Sequence, residues 1–271
     1  MEQVTRRQVL ASATVSLGLA TVGTASADTE GGYPERPDHI TASAPIEELK
    51  RYQPTLHTDQ PTRERMLKMY GWKAESVEHE LDAYYYWLRY AKQRTVLEEW
   101  FGISTGSWFG AVDEHLDDHE PAIVFVNPAT EEVVEAYYTG YHHYATRIAA
   151  ADANLTESTV SDGDDTHLNL RVIPPHHHYN HEPSGTGALP SNLTGLESWL
   201  DIREAWYDRN TFENSNLRAV EDPWELIEQG HWWEEGSRDA SVAWLWITLG
   251  FAGDDGGGEL LYDPDNGEVD K

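Results

Sequence analysis

Residues 114–120 read Glu114-His115-Leu116-Asp117-Asp118-His119-Glu120. Six of these seven side chains are carboxylates or imidazoles, the groups that ligate divalent metals. Carboxylate oxygens suit calcium or magnesium, and imidazole nitrogen adds affinity for manganese or zinc. The aliphatic run Ala122-Ile123-Val124-Phe125-Val126 follows directly. If that run is a strand, Asp118 and Glu120 lie two apart and point to one face, while His119 points away. Asp117, Asp118 and Glu120 held together without a cation would repel one another. The stretch therefore predicts a divalent metal site that uses Asp118 and Glu120. The competing reading is a solvated acidic loop on an acidic protein.

Imidazoles are concentrated in the same third of the chain. Nine of the thirteen histidines fall between His115 and His181, in the groups His115/His119, His142/His143 and His176/His177/His178/His181 plus His167. The last group lies in "PPHHHYNHEP", where flanking prolines exclude a zinc-protease helix. In an extended segment His176 and His178 share a face. His142, His143 and His178 are further candidates for the imidazole of the site. If His178 folds over the acidic stretch, a mixed nitrogen and oxygen shell favours zinc or manganese over calcium. Neither H-E-x-x-H nor an EF-hand pattern is present, and there is no nucleophile elbow, phosphate loop or dinucleotide fingerprint.

These residues need a scaffold. "AYYYWLRYA" (83–91) is dense in aromatics and predicts a strand. Residues 121–128 are β-branched and bounded by prolines, which predicts a buried strand. "PATEE" turns the chain, and 133–144 returns as the second arm of a hairpin. Residues 151–166 read as an acidic surface loop, and "HLNLRVI" (167–173) alternates as another strand of one antiparallel system. Short helices are expected over 45–52 with a Ser43 cap and over 61–70 with a stop at Gly71. Later helices are expected at 194–209 and 222–236, followed by a buried strand at 240–251. Asn154-Leu-Thr156 and Asn192-Leu-Thr194 are glycosylation sequons and so belong on the surface. The fold class is α+β, an antiparallel β-sandwich core with peripheral helices.

Residues 1–27 carry Arg6-Arg7, a Gly/Ala/Thr-diluted apolar stretch and Ala25-Ser26-Ala27. This has the form of a twin-arginine signal peptide and predicts secretion. The stretch is too short and polar for a membrane span. Residues 28–44 read as a flexible linker, and 45–271 as a single domain. The whole chain carries 48 acidic and 19 basic residues, a net charge of −29. Removal of Glu2, Arg6 and Arg7 leaves 47 against 17, or −30. That charge repels nucleic acid and anionic headgroups. Only 5 of the 19 basic residues are Lys. Carboxylate excess with scarce Lys predicts a secreted protein of a halophilic archaeon, folded in concentrated salt. Eleven Trp and fourteen Tyr supply core area that a disordered acidic chain would lack. Cysteine is absent, which excludes a disulfide framework.

The order of these pieces, an aromatic strand, the acid/His motif entering an aliphatic strand and a hairpin, resembles the necrosis- and ethylene-inducing-like proteins and related vacuolar-sorting-type β-sandwich families. The resemblance covers residues 83–147. Its hallmark G-H-R-H-D-W-E is matched at His115, Asp118 and Glu120. The chain departs from it at Glu114, Asp117 and His119, and it lacks the family's cysteines. The resemblance implies that His115, Asp118 and Glu120 hold a divalent cation at one end of a sandwich; His143 and His178 stand beside them as candidates from the histidine clustering alone. It implies a toxin-like protein that binds a lipid or glycan, not an enzyme. The leading expectation is a secreted divalent-metal-binding β-sandwich protein with an extracellular glycan, lipid or small-molecule ligand. A metal-dependent extracellular hydrolase, with one carboxylate of 117–120 as general base, and a structural surface protein are the alternatives.

Overall fold

The computed structural model describes residues 37–91, 119–140, 145–158, 160, 163–174, 177–183, 187–199 and 222–228, with the backbone of three short strands after them. All of these lie in the compact unit Pro34–Lys271. In chain order the elements begin with β1 (Ile40–Ser43), α1 (Ile46–Tyr52), β2 (Thr55–His57), α2 (Gln60–Arg65), β3 (Met66–Ser76) and β4 (Asp82–Tyr90). Next come β5 (His119–Val126), β6 (Val133–Thr139), β7 (Ala145–Ala149), β8 (Thr156–Glu157), β9 (Asp165–His167), β10 (Asn169–Val172) and β11 (Tyr179–His181). The chain continues through β12 (Leu193–Thr194), α3 (Pro223–Glu228), β13 (Glu259–Leu260), β14 (Tyr262–Asp263) and β15 (Glu268–Val269). Residues 196–199 are also helical.

One large sheet runs β1-β3-β4-β5-β6-β7-β13, antiparallel throughout, with β12 added parallel to β3. A second sheet, β11-β10-β2, lies across one face of it. The pleat of β4 shows how. Tyr84, Tyr86, Leu88 and Tyr90 pack with Leu56, Leu170, Val172 and Tyr179 of the small sheet. Ala83, Tyr85 and Trp87 pack on the other side with Trp199, Trp224 and Leu226 of the helical pieces. A strand covered on both faces has no solvent side to keep polar. That is why "AYYYWLRY" and "HEPAIVFV" show no alternation of polar and apolar residues. The architecture is the expected α+β sandwich with peripheral helices.

Several expectations are corrected. The helix predicted for 61–70 ends at Arg65, because β3 pairs with β4 from Met66 onward. Asp59 caps it by accepting the Thr62 N–H at 2.8 Å. Gly71 is not a helix stop; it sits in β3, where a Cβ would meet Leu193 Cδ1 at 2.9 Å. The cap of α1 is Pro45, not Ser43. The 28–44 segment is not linker throughout, since Ile40–Ser43 forms the β1 edge. The arm predicted for 133–144 is β6 as far as Thr139, and a separate strand, β7, begins at Ala145. The 151–166 loop contains β8 and the start of β9. Most consequentially, the 167–173 strand lies in the second sheet, parallel to β2. The predicted strand 240–251, and the helices beyond 199 and 228, lie outside the described residues. Asn154 and Asn192 are exposed, as their sequons predict.

Candidate functional site

Of the predicted ligands, His115, Asp118 and His143 lie outside the described residues, as do Asp117, His142 and His176. Glu120 and His178 are described, and both are buried, at 1% and 2% exposure. Glu120 is the second residue of β5 and shares its pleat with Ala122 and Val124, which pack in the core facing the small sheet. His119 takes the opposite face, as the strand period predicts. Its ring lies 5.2 Å from that of Trp199 and 6.2 Å from that of Tyr70.

The small sheet brings the histidine-rich segment to Glu120. β10 and β11 are joined by a tight connection in which the Ile173 N–H donates to His178 O and the His177 N–H to Ile173 O, both at 2.9 Å. His177 turns the chain with φ of 64°, a left-handed conformation that costs an L residue roughly 1–2 kcal/mol. Its ring is fully buried and stacks on Tyr90, centroids 4.0 Å apart. The Tyr179 hydroxyl donates to Glu120 O at 3.1 Å and ties this turn to β5. His181 lies farther along, with Nε2 2.7 Å from Ala153 O. Burial opposes the Asp59 carboxylate, yet the hydrogen bonds from Thr62, with Arg65 and His177 nearby, hold it below the usual range. Glu120 and His178 are thus both buried, and the contact that links their segments is the Tyr179 hydroxyl on the Glu120 backbone oxygen. Among the described residues no three carboxylate or imidazole groups converge.

A second constellation escaped sequence reasoning. His39 lies 3.0 Å from Ser76 Oγ through Nδ1 and 3.1 Å from Asp222 Oδ2 through Nε2. This is the composition of a serine-hydrolase triad, but its oxygens are committed to backbone. Ser76 Oγ accepts the Glu78 and His79 N–H groups at 3.0 and 3.2 Å. Asp222 Oδ1 caps α3 by accepting from Trp224 and Glu225 at 3.0 and 3.1 Å. The His79 ring stacks on Trp224 at 4.6 Å. The group pins α3 to the end of β3 and is structural. No local motif announces it, because Asp222 lies 183 residues from His39.

No family model matches the sequence. No curated protein matches it either. Among the described residues, no helix is long and apolar enough to cross a membrane. The structure is similar to that of necrosis and ethylene inducing protein 2 from the causal agent of cocoa's witches' broom disease, at 20% identity over 67% of this chain and 87% of that one, with a TM-score of 0.41. It is also similar to NLPPya in complex with mannosamine, at 17% identity over 69% and 92% of the two chains, TM-score 0.41. A structure described as a toxin fold for microbial attack and plant defense gives 16% identity over 70% and 92%, TM-score 0.41. These neighbours belong to the necrosis- and ethylene-inducing-like group that residues 83–147 resemble.

Proposed function

We propose that this chain is an exported protein that binds a divalent cation at one end of its sandwich and uses that end to hold an extracellular glycan or lipid headgroup. The observation that supports the reading is the bond from the Tyr179 hydroxyl to the backbone oxygen of Glu120, which ties the residue after His178 to β5 while Glu120 and His178 are both buried. A divalent ion offsets the cost of burying carboxylates there. The paired arginines near the N-terminus and the acidic composition support export into salt.

The test is elemental analysis of the salt-equilibrated protein, before and after chelation, with Glu120→Gln and His178→Ala beside the wild type. An ion held at one hundred times its Kd adds about 2.7 kcal/mol of stability. Chelation should therefore lower the wild-type Tm and leave the folded variants unaffected. Stoichiometric metal absent from the wild type, or retained in full by both variants, overturns the cation. Mannosamine and zwitterionic vesicles then probe the ligand in the metal-loaded protein.

A further inference from the structure

Two stretches fit the N-x-T acceptor pattern for N-linked sugar, Asn154-Leu155-Thr156 and Asn192-Leu193-Thr194. Both asparagines lie in turns and are exposed, so exposure does not separate them. Their hydrogen bonds do. A carboxamide nitrogen attacks carbon only when its lone pair is turned out of conjugation with the C=O, so the amide must be free to rotate. The hydroxyl two residues on must also be open to the enzyme that transfers the sugar.

Asn154 is held at both points. Its Nδ2 donates to Pro183 O at 2.5 Å, 29 residues away. Its turn is braced by the Asp152 and Ala153 N–H groups, which both donate to Ala149 O at 3.0 Å, and its own φ is 45°. The Thr156 hydroxyl accepts from Nδ2 of the buried Asn169 at 3.3 Å and donates to His167 O at 3.5 Å. Asn192 is held loosely. Its Nδ2 reaches Leu67 O at 3.4 Å and its Oδ1 accepts from the adjacent Ser191 hydroxyl at 3.4 Å, both longer than the usual range. The Thr194 hydroxyl reaches Gly195 O, one residue on, at 3.5 Å. The strand that carries Leu193 and Thr194, β12, is two residues long. A cleft of about 140 Å³, lined by Met66, Lys68 and Ser191, adjoins Asn192 and leaves room beside it.

We propose that Asn192 is the site at which the folded protein receives an N-linked glycan, and that Asn154 stays unmodified. Asn192 Nδ2 bonds to the anomeric carbon of an oligosaccharide carried on a polyprenyl phosphate. The C–O bond to the phosphate breaks, the polyprenyl phosphate leaves with its electron pair, and the amide gives up one proton to the base of the transferase. The proposal rests on the export reading above, since the twin-arginine route delivers a folded chain, and on neither the cation nor its ligand.

The full chain is secreted from a glycosylating halophilic host, once with its own leader and once with a leader that exports it unfolded, and mass spectrometry reads the two sequons. With its own leader, Asn192 should carry glycan at least tenfold more often than Asn154. With the second leader both should carry it. Asn192→Gln should remove the mass shift of the native-leader protein, and Asn154→Gln should leave it. Equal occupancy of the two sites under the native leader overturns the proposal, as does a secreted chain with Asn192 bare. Asn154 bare under both leaders overturns selection by the fold. If the chain with its own leader stays in the cell, the export reading fails. The purified protein, in salt at which circular dichroism shows it folded, then goes to the membrane transferase with the lipid-linked oligosaccharide. Glycan at Asn192 alone upholds the site there, and glycan at Asn154 or at neither overturns it.

Discussion

Replacing His177 by glycine and by alanine separates two effects that the native structure combines. The backbone there has φ of 64° and the side chain is completely buried against Tyr90. Both variants lose the stacked ring pair, roughly 0.5–1.5 kcal/mol beyond its area burial. They differ in the backbone. Alanine keeps the left-handed cost of roughly 1–2 kcal/mol, and glycine removes it. Glycine in turn gives the unfolded chain more freedom, roughly 0.5–1 kcal/mol. The difference leaves His177→Gly more stable than His177→Ala by about 0.5–1 kcal/mol, with both less stable than the wild type. Urea unfolding at fixed high salt, read by circular dichroism, measures it through the midpoint at constant slope. An alanine variant as stable as the glycine variant, or more so, would refute the reasoning. The turn would then relax out of the left-handed region once the imidazole is gone. A conformation of this cost at a buried histidine stacked on Tyr90 is the kind of strain that collects at functional sites.

Three further outcomes follow from the packing and the charges. Trp199 is fully buried, its ring centroid 5.1 Å from that of Trp87, so Trp199→Ala should lower unfolding stability by about 3–5 kcal/mol; a loss under about 1 kcal/mol contradicts the helical layer. Burial holds the His167 pKa below its usual value despite the 2.8 Å contact of Nδ1 with Gln53 O. The unfolded chain then binds the proton more readily, so stability should fall as pH drops below about 6.5, and the corresponding fall should be smaller in His167→Gln. Arg51 joins Glu131 at 2.8 Å and Asp164 at 2.7 Å; Arg51→Met should cost about 1 kcal/mol at moderate salt and less in molar salt, and a cost that grows with salt would exclude an ionic role.

The hairpin of β5 and β6 was legible because proline and turn residues bracket two apolar runs, and β4 was legible because aromatic density is rare outside strands. The placement of Glu120 and His119 on opposite faces came from the strand period alone. What the sequence hid was pairing. β10 reads as a strand, but its parallel partner is the three-residue β2, too short to show periodicity. Gly71 resembled a helix stop and instead makes room for Leu193. The approach of the histidine-rich turn to Glu120 rests on one hydroxyl bonded to a backbone oxygen 59 residues away.

The central position of β4 and β5 has an optical consequence. His119 and Glu120 are consecutive, so one peptide unit separates the interior facing the small sheet from the indole stack of Trp72, Trp87 and Trp199. A shift of Glu120 along the strand should be felt by the His119 ring, whose centroid lies 5.2 Å from that of Trp199. Indole emission is sensitive to the position of a neighbouring imidazole. Occupation of the far side of the strand should therefore be visible from this side, without a label, as a change in tryptophan fluorescence that Trp199→Phe reduces, Trp87 lying 6.3 Å from the same ring.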